Sequence, residues 1–85
     1  MPTVAVVDGV LILFYWNDHD PPHFHADGPE FRAKFSIEDG SVIDVSGRMA
    51  KSVERRLREW ALGRRQALEE NWRRARAQLP LQRIS

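Results

Sequence analysis

Cysteine is missing from this chain of 85 residues, which excludes disulfides and thiolate metal ligands. Such a composition suits a reducing compartment, and a cytoplasmic protein is expected. Long hydrophobic runs are missing too. The longest, Val10 to Trp16, falls far short of the ~20 residues that span a bilayer, so no membrane partner is expected. The start, Met1-Pro2-Thr3, lacks the basic segment of a secretory signal. There is no internal repeat and no low-complexity segment. At this length residues 1–85 form a single domain, with a modest core and little room for a deep cavity.

Excess charge is missing only on average, because the net charge of +1 conceals a division. Residues 1–46 carry two cations against eight acids, a net of −6, and residues 47–85 carry eleven against four, a net of +7. An acidic β-rich half (1–46) is therefore followed by a basic helical half (47–85). The basic end suits an acidic protein partner or a nucleic acid.

The strands are legible from turn residues and alternation. Thr3 to Val7 and Val10 to Trp16 flank Asp8-Gly9, a strong hairpin signal. The second run is apolar throughout and reads as a central strand covered on both faces. A stiff loop with Pro21-Pro22 follows and delivers the chain into His23-Phe24-His25-Ala26. Strand parity sends Phe24 and Ala26 one way and His23, His25 and Asp27 the other. With Gly28-Pro29 as the turn residues, the expected pairs are Asp27/Glu30, Ala26/Phe31, His25/Arg32, Phe24/Ala33 and His23/Lys34. Val42 to Val45 is a last short strand, and Ser46 is placed to cap the helix that follows.

From Arg48 the period becomes helical. Ala50, Val53, Leu57, Trp60 and Ala61 form one apolar stripe, continued by Leu68, Trp72, Ala75 and Leu79. One unbroken helix would run about 48 Å, too long for a domain of this size. Gly63 is the natural break, giving helices of roughly 48–62 and 64–78. A single kinked helix is the alternative. Leu81 and Ile84 are placed to tuck back onto the core. The expected fold is α+β: a small, mainly antiparallel sheet of four to five strands, followed by two C-terminal helices packed on one face.

The chemistry concentrates in Asn17-Asp18-His19-Asp20-Pro21-Pro22-His23-Phe24-His25, which holds all three histidines and two of the five prolines. One reading is an anion site. His23 and His25 beside Lys34 would support metal-free acid–base cleavage of an RNA backbone. A second reading is a divalent metal on His23 and His25, with His19 or an Asp as third ligand. It is the less favoured one, since Arg32 and Lys34 across the ladder would repel a dication. No other cofactor is expected. A third reading is structural, with Asp18 and Asp20 bonding the loop's own backbone. Asp18, His19, Asp20 and Arg32 are candidate binding residues, as are Arg55, Arg58 and Arg65 among the many arginines off the helical stripe. Glu54–Arg58, Glu69–Arg73 and Glu70–Arg74 have the spacing of favourable helical pairs.

The nine-residue stretch resembles the signature of a bacterial family known as domain of unknown function 4160. Met1-Pro2-Thr3 is similar to its start, Glu59-Trp60-Ala61 and Glu70-Asn71-Trp72 to its helical segment, and Pro80-Leu81-Gln82-Arg83-Ile84 to its tail. The resemblance implies a small protein, β-rich at its start and helical at its end. Genes of this family are often described beside those of domain of unknown function 2442, in proposed toxin–antitoxin pairs. The neighbour sometimes carries a DNA-binding module, which makes this chain the toxin-like partner. The resemblance thus implies a component of a toxin–antitoxin-type module that binds a small protein encoded nearby, a nucleic acid or a second copy of itself. It carries over no catalytic residue, and the alternatives remain a histidine-dependent ribonuclease or phosphodiesterase and a metal-binding protein.

Overall fold

The computed structural model describes residues 3–85. The expected resemblance at Met1-Pro2 lies outside the described residues. Five strands form one antiparallel sheet in the order of the chain: β1 (Thr3–Val7), β2 (Val10–Leu13), β3 (His23–Asp27), β4 (Phe31–Ser36) and β5 (Val42–Gly47). Two helices follow, α1 (Lys51–Leu62) and α2 (Arg65–Arg76). This is the α+β architecture expected from the sequence, with five strands.

The turns do what their residues allow. Asp8 and Gly9 have φ of +50° and +78° between the paired Val7 and Val10. Positive φ at both central positions matches the twist of the flanking strands. The β3–β4 hairpin departs from the expected pairing. Its pairs are His23/Ser36, Phe24/Phe35, His25/Lys34, Ala26/Ala33 and Asp27/Arg32. The Gly28 N–H donates to the Phe31 carbonyl at 3.0 Å, so Pro29-Glu30 forms the corner. Proline's fixed φ suits the first corner position and is disfavoured at the second, which Gly28-Pro29 would have required. The slip is two residues. Every side chain therefore keeps its expected face while every cross-strand neighbour changes. Glu30 moves into the turn, where its carbonyl accepts the Arg48 N–H at 2.8 Å.

Parity divides the sheet into two faces. Val10, Ile12, Phe14, Phe24, Ala26, Ala33 and Phe35 form the core with Leu57 and Ala61 of α1 and Leu68, Trp72 and Ala75 of α2. Phe24 and Phe35 stack at 5.3 Å between centroids. Burial of each large side chain here stabilises the fold by about 1.5–3 kcal/mol. On the opposite face the run Val10 to Trp16 is not covered throughout. Leu13 is fully buried, but Leu11, Tyr15 and Trp16 are exposed, and the strand ends at Leu13. Leu13 is the ladder partner of His25.

The helix break is where expected, for another reason. Gly63 is helical in conformation (φ −76°, ψ −8°), and the chain turns at Arg64 (φ −132°, ψ 28°). Ser46 does not cap α1: it lies in β5 opposite Arg32, and the cap position is Ala50 without a side-chain bond. Leu79, expected in the stripe, lies beyond α2 and is exposed. Leu81 and Ile84 do pack against the core. Buried Asn71 holds that tail by donating to the Gln82 carbonyl and accepting the Gln82 N–H, each at 2.8 Å. The Ile84 N–H then donates to the Val4 carbonyl at 2.8 Å. The outer edge of β1 is thus partly covered by the chain's own end.

Candidate functional site

The loop Phe14–Pro22 folds back over the face of β3 that bears the histidines, and brings Asp18 to them. His25 Nε2 stands 2.9 Å from Asp18 Oδ2, and His23 Nε2 stands 3.4 Å from the same oxygen. All three groups are shielded, with side-chain exposures of 6% for His23, 14% for His25 and 18% for Asp18. Their donor atoms lie within 4.8 Å of one another.

Each ring is held by packing. The Tyr15 ring meets His25 edge-on at 4.6 Å, the two imidazoles lie 5.1 Å apart, and Trp72 of α2 lies 5.1 Å from His23. His23 opens the strand, and its ring lies against this helix as well as beside His25. The His23 Nδ1 also donates to the Pro21 carbonyl at 2.8 Å. A carbonyl can only accept, so Nδ1 bears the proton, and in the neutral ring Nε2 bears a lone pair. That Nε2 is buried and has no hydrogen-bond partner among the described residues.

Of the residues expected to act together, His23, His25 and Asp18 do converge. Lys34 is the ladder partner of His25 and lines the clefts on both sides of the cluster. One, of about 220 Å³, includes Asp18, His19, Asp20 and His23. The other, of about 240 Å³, includes Tyr15, His25, Arg32 and Asp44. His19 borders the first cleft without joining the cluster. Asp20 meets Arg76 at 3.4 Å. The sequence gives no sign of Tyr15 or Trp72 as walls of the site, because both read as strand and stripe residues.

Register brings an acid opposite each of the cations expected to repel a metal: Arg32 lies opposite Asp27, and Lys34 lies opposite Asp44. Neither is among the described ion pairs, so the acids temper the two cations without cancelling them.

The helical arginines are used more inside the molecule than expected. Arg56 pairs with Asp8 at 3.2 Å and Arg76 with Asp20, so the basic half partly neutralises the acidic one. Arg65 pairs with Glu69 at 3.4 Å, while Glu70 joins both Arg73 and Arg74. Of the three helical pairs expected, Glu70–Arg74 is formed among the described ion pairs, and Glu69 turns to Arg65 instead of Arg73. These two guanidinium donors hold the Glu70 carboxyl below its ordinary pKa. Arg55 and Arg58 are exposed on α1.

A second feature is the far edge of the sheet. β5 is the last strand in the order. Ile43 and Val45 on it are each 44% exposed, and Leu62 at the end of α1 is 48% exposed. Leu62 and Arg58 pack over Gly40, in the turn that leads into β5.

Comparison with known proteins gives one relationship. The sequence model of a family described as Domain of unknown function (DUF4160) matches residues 9–73. The matched segment contains the entire Asp18–His25 stretch. No curated protein and no solved structure matches the chain.

Proposed function

This chain belongs to the domain of unknown function 4160 family, and we propose that it is the toxin-like component of a bacterial toxin–antitoxin-type module, acting by binding a small protein partner along β5. The observation that supports this reading is the contrast between the two sheet edges. β1 receives a hydrogen bond from the chain's own tail at Val4. β5 ends the sheet with Ile43 and Val45 exposed. An uncovered strand of β-branched residues is a template for an added strand, whose backbone supplies affinity and whose side chains supply choice. Arg58 and Leu62 beside the Gly40 turn favour a partner strand that combines apolar and acidic residues. The gene association implied by the family resemblance makes the neighbouring small protein the natural occupant.

The test is co-purification with the product of the neighbouring gene, alongside inducible expression of each alone and together. The proposal expects a stable complex, growth inhibition by this chain alone and relief on co-expression. Ile43→Lys and Val45→Lys should each weaken the complex while leaving the isolated chain folded. A complex indifferent to both substitutions, or a chain that neither binds the neighbour nor slows growth, would contradict it.

A further inference from the structure

We infer that Asp18 Oδ2, His23 Nε2 and His25 Nε2 form a binding site for a divalent first-row transition-metal ion. The inference does not rest on the partner edge proposed above, although Ile43 of that edge lines the cleft that holds Asp18 and His23.

Three observations lead to it. The first is the bare nitrogen. With Nδ1 donating to Pro21, the His23 Nε2 lone pair is buried and, among the described residues, has no hydrogen-bond partner, although a carboxylate oxygen stands 3.4 Å away. Two electron-rich atoms this close in a shielded site are unfavourable unless something positive lies near both. A backbone carbonyl on the distal nitrogen is also how metal-bound imidazoles are usually oriented.

The second is spacing. For ligand bonds of about 2.1 Å, neighbouring ligand atoms stand about 3.0 Å apart in an octahedral shell and about 3.4 Å in a tetrahedral one. The observed separations from Asp18 Oδ2 are 2.9 and 3.4 Å, the shorter being a hydrogen bond from His25 Nε2–H to Asp18 that a metal ion would replace. A second proton on His23 is the competing explanation. A charge-assisted N–H to carboxylate bond should close to about 2.7–2.9 Å, and the His23 contact does not.

The third is the donor set. Two imidazoles and one carboxylate suit zinc, iron, cobalt or nickel better than magnesium or calcium, which take oxygen shells. Three protein ligands leave one or more positions for water, on a cluster whose members line the two clefts flanking Lys34. That is the arrangement of a centre able to activate water or hold an anion.

The test uses the full chain purified without a histidine tag and stripped with chelator. Zinc and cobalt are titrated by calorimetry, and cobalt also by its visible spectrum. The expected result is one equivalent of each, a cobalt spectrum with nitrogen ligation, and a melting temperature that rises with zinc. Asp18→Asn and His25→Ala should weaken binding by about tenfold or more, and His19→Ala should not. Circular dichroism of the metal-free variants separates lost ligation from lost fold. Asp18→Asn keeps the side chain's shape should His25→Ala fail to fold. Zinc binding no tighter in the wild type than in folded Asp18→Asn would overturn the inference. Equal affinity for calcium would overturn the assignment to a transition metal.

Discussion

The Nδ1–H of His23 donates to the carbonyl oxygen of Pro21 at 2.8 Å, and this bond fixes what the opposite nitrogen can do. It makes His23 a structural residue as well as a candidate ligand. His23→Ala should destabilise the chain by about 2–4 kcal/mol, through the cavity left beside Trp72 and the lost hydrogen bond. His19→Ala, exposed at the cleft, should stay within about 0.5 kcal/mol of wild type. Urea denaturation of both variants checks the contrast, and equal effects would count against the burial described.

Two glycines should respond differently to the same substitution. Gly47 has φ of +87°, and a Cβ there would lie 2.3 Å from the Glu30 carbonyl oxygen. Backbone cannot step aside cheaply, so Gly47→Ala should destabilise by about 1–3 kcal/mol. Gly63 has helical φ, and a Cβ there meets nothing closer than 3.7 Å. Gly63→Ala should be neutral or stabilise by about 0.4–1 kcal/mol. Thermal melts of the pair suffice.

Asn71 joins α2 to the tail with two hydrogen bonds to Gln82. Asn71→Ala should cost about 1–3 kcal/mol. It should also raise the exchange rate of the Ile84 amide, which the tail holds against Val4. Hydrogen exchange would show this loss at Ile84 before any at the β3–β4 pairs.

Glu70 supplies a pH dependence with a definite sign. Its carboxyl is held below the ordinary value by hydrogen bonds from Arg73 and Arg74. A depressed carboxyl contributes stability that is fully present above its unfolded pKa. That contribution is lost as pH falls through the lower folded value. The stability difference between wild type and Glu70→Gln should therefore be present at neutral pH and shrink on acidification below the ordinary carboxylate range. The pair is solvent-exposed, so the difference is small. A difference that grew in acid would contradict the pairing.

Much of this fold is legible in sequence because parity and turn chemistry are local rules. Asp8-Gly9 specifies a hairpin by itself, and alternation around Phe24 and Phe35 assigns each side chain its face. Exact cross-strand neighbours are harder to read, because a two-residue slip leaves every face unchanged. Only the preference of Pro29 for the first corner position separates the two registers. The edge of β1 depends on Asn71, an amide within a helical run, meeting a tail eleven residues on. No periodic pattern signals such a contact. The candidate site was half visible. His23 and His25 share a face by parity, and an Asp was among the expected third ligands, but the place of Asp18 beside both depends on how the Pro-Pro loop closes. The cations expected to repel a metal depended partly on the same slipped register, which sets Arg32 beside Asp27 and Lys34 beside His25, while Asp44 reaches Lys34 from β5.

Nitrogen-15 NMR of the histidine side chains tests the central claim most directly, in chelator-stripped protein at neutral pH before and after one equivalent of zinc. The account predicts a His23 ring with the proton on Nδ1 and a bare Nε2, and a zinc-induced shift of Nε2 in both His23 and His25. A His23 ring protonated on both nitrogens and unmoved by zinc would contradict it.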